Sequence, residues 1–133
     1  LGRLLHGLRG LLDRPREALC RDALGAALDI RALTRALADE PDLGLDPSAP
    51  LDLAVGLHLA PASVGFFGPN DDYTAFSSGM NNTARLQGLA SGGEILCMQP
   101  FVDALGTPER FGDARAAVVK NVEDALVFRG LTG

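Results

Sequence analysis

Two periodicities divide this chain. From residue 16 to residue 39 the apolar positions recur at helical spacing: Ala18, Leu19, Ala23, Leu24, Ala27, Leu28, Ile30, Leu33, Ala36 and Leu37 form one broad stripe, with Arg and Asp between them. The preceding stretch, residues 1–14, sets Leu1, Leu4, Leu5, Leu8, Leu11 and Leu12 at the same spacing, interrupted by glycines and closed by Pro15. After Pro41 and a Pro- and Gly-rich connection the period falls to two. Leu53, Val55, Leu57 and Leu59 alternate with Asp52, Ala54, Gly56 and His58, which predicts a strand. A second strand is expected just beyond Pro61, a turn at 68–71, and a returning strand over 73–76. A helix is predicted over 79–90, a short strand over 94–97, a short helix over 100–105, and closing strands over 114–119 and 125–128. Helices mixed with hairpins predict an α+β domain with a mostly antiparallel sheet and helices on one face, formed by residues 1–133 as one unit.

Composition narrows the function classes. Apolar residues make up 47% and charged residues 22% of the 133, the balance of an ordinary globular domain. The formal charge of −5, with a single lysine (Lys120) among twelve basic residues, argues against a nucleic-acid or anionic-membrane surface. No apolar run approaches the ~18 residues of a membrane span. Cys20 and Cys97 have no metal-type spacing and read as reduced thiols, and His6 and His58 are too few and too far apart for a zinc site.

The chemistry concentrates between residues 56 and 97. Asn81 and Arg85 stand four apart on the predicted helix and so share a face. A carboxamide suits a sugar oxygen, and a guanidinium offers a fixed, non-titrating fork of donors suited to phosphate oxygens. Phosphoryl transfer needs that combination, because catalysis there is mostly positioning and charge stabilisation.

The ordered set GLHLAPASVGFFG, DYTAFSSGMNNTARLQGLA and GGEILC resembles the second half of the class III adenylyl and guanylyl cyclase domain. The likeness extends over roughly residues 16–130, taking in the alanine-rich helix and the closing VVKNVEDALVFR. The resemblance implies a ferredoxin-like cyclase fold lacking its N-terminal elements, and an adenylate cyclase that makes cyclic AMP and pyrophosphate from ATP for intracellular signalling. Asn81 matches the asparagine that orients the ribose, and Arg85 the arginine that stabilises the phosphate transition state. Thr74 matches the base-contacting position and favours ATP over GTP; Lys120 matches a late basic position able to touch the triphosphate.

The resemblance also implies Mg²⁺ or Mn²⁺, held by two aspartates of the family's N-terminal half. No GD hairpin of that kind precedes the long helix. LDIRALT (28–34) is superficially similar to the first-strand motif and nominates Asp29, yet it continues an unbroken helical period. The tight entry to the Asn/Arg helix reads Ser77-Ser78-Gly79, with its glycine displaced. This chain alone is therefore expected to lack the metal aspartates, and they would come from a homodimer partner, a complementary cyclase half or, equally, a missing N-terminal portion of the same protein. The alternative is a catalytically inactive pseudo-cyclase acting as a regulatory or dimerisation module. A cytoplasmic location is expected whether or not the parent protein is tethered to a membrane. Absent N-terminal elements leave a sheet edge and an apolar face open, so self-association is expected. Sedimentation velocity at micromolar concentration should show species larger than a monomer; a monodisperse monomer would contradict this.

Overall fold

In a computed structural model of the chain, residues 15–46, 48, 51–61, 63–67, 72–76, 78–118 and 125–132 are described, and the statements below concern these. The helix expected over 1–14, the turn at 68–71 and Lys120 lie outside them.

α1 (Arg16–Ala38) begins directly after Pro15, whose ring fixes an extended entry, and ends at Asp39 before Pro41. Three strands follow: β1 (Val55–Leu57), shorter than its alternation suggests, then β2 (Ser63–Phe67) and β3 (Asp72–Phe76). α2 (Ser78–Leu89) leads to β4 (Ile95–Met98), and α3 (Gln99–Leu105) starts without a break and stops at Gly106, whose φ of 75° suits glycine. β5 (Arg115–Ala117) and β6 (Leu126–Gly130) complete the described elements.

The main sheet has the order β1-β4-β6-β5, and β2 pairs with β3 in a separate antiparallel hairpin. β1 and β4 are parallel, with Val55 opposite Ile95 and Leu57 opposite Cys97; β4–β6 and β5–β6 are antiparallel. The parallel pair needs a long crossover, and the hairpin and α2 supply it.

β4 organises the core. All four of its residues are buried, and because side chains alternate across a strand they feed two separate clusters. Ile95 and Cys97 join Cys20, Leu24 and Ala27 of α1 with Phe101, Val102 and Leu105 of α3. Leu96 and Met98 join Leu86 of α2 with Leu126 and Phe128 of β6. A strand covered on both faces reads as a continuous apolar run, as ILCM does. Burial of each such side chain contributes about 1.5–3 kcal/mol.

Two details differ from the sequence reading. α1 and α3 do share one face of the sheet, but α2 covers the other, because Gly56 and Leu96 point opposite to their strand neighbours. The apolar stripe of α1 is buried only in its first half. Ile30, Leu33 and Leu37 are 52%, 62% and 44% exposed, since beyond Ala27 the helix is held by polar contacts instead. Arg31 Nη1 donates to the Gly93 carbonyl at 3.1 Å, and Arg35 Nε lies 3.5 Å from Asp52 Oδ1.

Gly56 sets the distance between β1 and α2. A Cβ built there would lie 2.8 Å from the Gln87 amide nitrogen and 3.1 Å from the Thr83 carbonyl oxygen. Both are helix backbone, which cannot move aside as a flexible side chain can. Gly56→Ala is expected to destabilise the fold by about 1–3 kcal/mol, the usual cost of overpacking. Urea unfolding checks this; an unchanged midpoint would mean that α2 shifts outward freely.

Candidate functional site

α2 carries the candidate chemistry on the side turned away from the sheet. Gly79 and Leu86 are buried, and Thr83 and Ala90 are partly buried, a spacing of four, three and four that marks the packed stripe. Asn81, Ala84, Arg85 and Gly88 form the exposed one. Thr83 Oγ1 donates back to the Gly79 carbonyl at 2.7 Å, so this hydroxyl is used within the helix. Leu86 is fully buried next to exposed Arg85, which pins the helix rotation and hence the direction of the guanidinium.

Among the described residues neither Asn81 nor Arg85 makes a hydrogen bond or ion pair. Among those residues the Asn81 carboxamide and the Arg85 guanidinium are both available to a ligand. The structure therefore brings these two predicted residues together on one exposed face. Of Thr74 it describes the backbone, which pairs with Gly65 in the β2–β3 hairpin leading directly into α2.

Asp29 lies in the middle of α1, exposed, on a helix where the motif likeness would require a strand. Among the described residues no group of three His, Cys, Asp or Glu side chains is placed to hold a metal ion. These residues do not fit a Mg²⁺ or Mn²⁺ centre by themselves.

The thiols are inert. Cys20 and Cys97 are free and buried in one cluster, and burial, with Cys20 nearby, pushes the Cys97 thiol up to about 12. A protonated, enclosed thiol is no nucleophile at neutral pH.

The network beside β6 is structural. Arg115 Nη2 donates to Glu94 Oε2 at 3.1 Å while its guanidinium stacks over the Phe128 ring at 5.0 Å. Glu94 Oε1 also accepts from the Ser91 amide, and this backbone bond, helped by Arg115, holds the carboxyl below its ordinary range.

His58 was passed over by the motif reading except as a strand residue. It is half-buried just beyond β1, its Nδ1 is sealed from solvent without a partner, and burial lowers its pKa. No sequence signal marks it, because the groups around it come from separate segments.

The fold is shared with solved guanylyl and adenylyl cyclases. It is similar to the crystal structure of the guanylyl cyclase Cya2, with a TM-score of 0.70 and 23% identity, over 84% of this chain and 56% of that one. It is also similar to the adenylyl cyclase CyaB from P. aeruginosa, with a TM-score of 0.68 and 20% identity, over 84% and 58%. Adenylate cyclases from Trypanosoma brucei in their monomeric state match with a TM-score of 0.50 and 19% identity, over 80% and 53%. The chain thus spans little more than half the length of the solved cyclases it matches. No family model and no curated protein matches it. No helix among the described residues is long and apolar enough to cross a membrane.

His58 generates a pH prediction. Burial lowers its folded pKa below the ordinary 6.5 of a histidine, so protonation favours the unfolded chain. Its neutral form costs no stability above that value, and stability falls as the pH drops from there through the lower folded pKa. The depressed carboxyl of Glu94 acts later, losing its contribution only below its ordinary 4.5. The urea midpoint should therefore decline as the pH falls below the ordinary histidine value of 6.5, and His58→Gln should flatten that decline. Equal slopes in both proteins would remove His58 as the cause.

Proposed function

We propose that this chain supplies the Asn81/Arg85 half of a nucleotidyl cyclase site, with ATP as substrate and cyclic AMP and pyrophosphate as products. The observation that carries the reading is the pair itself. Two unengaged side chains suited to ribose and phosphate stand one turn apart on a helix whose other side is locked against the sheet. The cyclase fold, common to guanylyl and adenylyl enzymes among the solved relatives, is the second support.

In the reaction the ribose 3′-oxygen forms a bond to the α-phosphorus and its proton passes to solvent. The bond from that phosphorus to the bridging oxygen breaks, and pyrophosphate leaves with the electron pair. The Asn81 carboxamide fixes the ribose so that the 3′-oxygen faces the phosphorus. The Arg85 guanidinium bonds the oxygens on which charge builds in the pentavalent state, where a fixed cation contributes most. Thr74 contributes a hydroxyl that accepts from the exocyclic amine of adenine, and Lys120 a cation for the triphosphate. Bound Mg²⁺ or Mn²⁺ supplies charge neutralisation in this chemistry. The described residues do not assemble its ligands, and on this reading the carboxylates come from another portion of the same protein or from a complementary cyclase half. We assign the domain to intracellular, cytoplasmic signalling on the same reading.

A second reading, a regulatory module that keeps the fold and does no chemistry, draws support from the place of Asp29 on an exposed helix face.

ATP should raise the thermal midpoint of the chain by several degrees at a hundredfold excess over Kd, about 2.7 kcal/mol of linkage. Arg85→Ala should abolish that shift while leaving the midpoint without ATP unchanged, since Arg85 is exposed and has no partner among the described residues. In a Mn²⁺-supplemented mixture with a cyclase domain disabled at its own Asn/Arg pair, the wild-type chain should restore cyclic AMP formation. The Arg85→Ala chain should restore about 10²- to 10³-fold less. ATP protection that survives Arg85→Ala would overturn the site; protection without restored activity would establish the regulatory reading.

A further inference from the structure

On the other side of the sheet, a cleft of about 810 Å³ opens between the first turn of α1, the chain just after β1, and the start of α3. None of its lining residues comes from α2. The volume lies within the roughly 300–1,000 Å³ typical of small-molecule sites. Leu59 and Pro61 form one apolar wall and Pro100 and Ala104 the other, and three polar side chains, Arg16, His58 and Asp103, line it with them.

The bonding capacity of those three is unequal. Asp103 Oδ1 accepts from Gln99 Nε2 at 2.8 Å, and Gln99 Oε1 accepts in turn from Arg129 Nε at 3.0 Å, so this carboxylate is tied back to α3 and β6. Arg16 is exposed and makes no hydrogen bond or ion pair among the described residues. His58 has its Nδ1 sealed from solvent with no hydrogen-bond partner among the described residues. The ring is held neutral by its burial. A neutral ring carrying its proton on Nε2 offers a donor alongside the guanidinium. What the cleft has to spare is thus donors, one of them a full charge, over apolar walls.

We propose that this cleft is a small-molecule site for a monocarboxylate with an apolar body of about one ring. The carboxylate bonds the Arg16 guanidinium and His58 Nε2, and the body packs on Leu59, Pro61, Pro100 and Ala104. Asp103 narrows the class, because its charge repels a second acidic group and so disfavours dicarboxylates and nucleotides. The site is separate from the Asn81/Arg85 face and does not depend on its assignment.

The test is a titration of the ¹⁵N-labelled chain with phenylacetate, followed by amide shifts, and repeated with phenylacetamide and with Arg16→Gln. Saturable shifts centred on Ala60 and Ala104 are expected. Affinity should fall roughly tenfold for the neutral amide and for Arg16→Gln, the loss of one charge-assisted contact. The amide spectrum reports at once whether the variant is folded, and Ala104→Phe, which fills the cleft, should remove the shifts. Non-saturable shifts, equal affinity for phenylacetamide, or unchanged binding in folded Arg16→Gln would each overturn the proposal.

Discussion

The rest of the structure depends on a close approach of α2 to β1, backbone against backbone, across the missing side chain of Gly56. Much else follows from it. With no Cβ in the way, the helix lies low enough for Leu86 to reach the Leu96 and Met98 side of the sheet and become fully buried. That burial fixes the helix about its own axis, and the axis decides which way Asn81 and Arg85 point. The candidate site is therefore positioned by its opposite side: Asn81 and Arg85 are exposed, and the helix that carries them is seated by a glycine and a leucine beneath. A ligand site built this way is rigid in its backbone and open in its side chains, so little of the helix need be reordered on binding.

β4 is the second constraint, and it explains why two clusters hold in so small a domain. Its alternate residues fasten α1 and α3 on one face and α2 on the other, and its edges pair with β1 and β6. The turn before it is fastened separately. Gly93, at φ 85°, sits so close to Asp52 and Arg35 that a side chain there would collide with both, and Arg31 grips its carbonyl. The strand that joins the two halves of the core thus has its entry held by polar contacts from α1.

Much of this was legible in the sequence, for identifiable reasons. α1 has 23 residues of helical period and a proline before it, and both the hairpin and α2 are announced by changes of period. Asn81 and Arg85 could be paired because both lie within one turn of one element, where spacing alone settles proximity. The face on which α2 lies was not legible, because it depends on which side of β1 Gly56 points, and alternation gives the relation between neighbours but not the absolute side. The outward turn of Ile30, Leu33 and Leu37 was hidden for a related reason: an apolar stripe states what a helix can bury, while the length of the sheet beneath decides how much it does. The cleft at His58 was invisible because its polar lining is drawn from residues 16, 58 and 103, which no local pattern connects.

The parallel pairing of β1 with β4 bears on how the chain folds. Val55 meets Ile95 across an intervening hairpin and helix, whereas α2 precedes β4 directly and α3 follows it without a break. Contacts between distant segments cost more loop-closure entropy and form later than local ones. Docking of β1 is then the slow step, and the helix bearing Asn81 and Arg85 acquires its final seat only when that distant strand arrives. Competence for any ligand on that helix would report completion of the whole domain rather than of the helix alone.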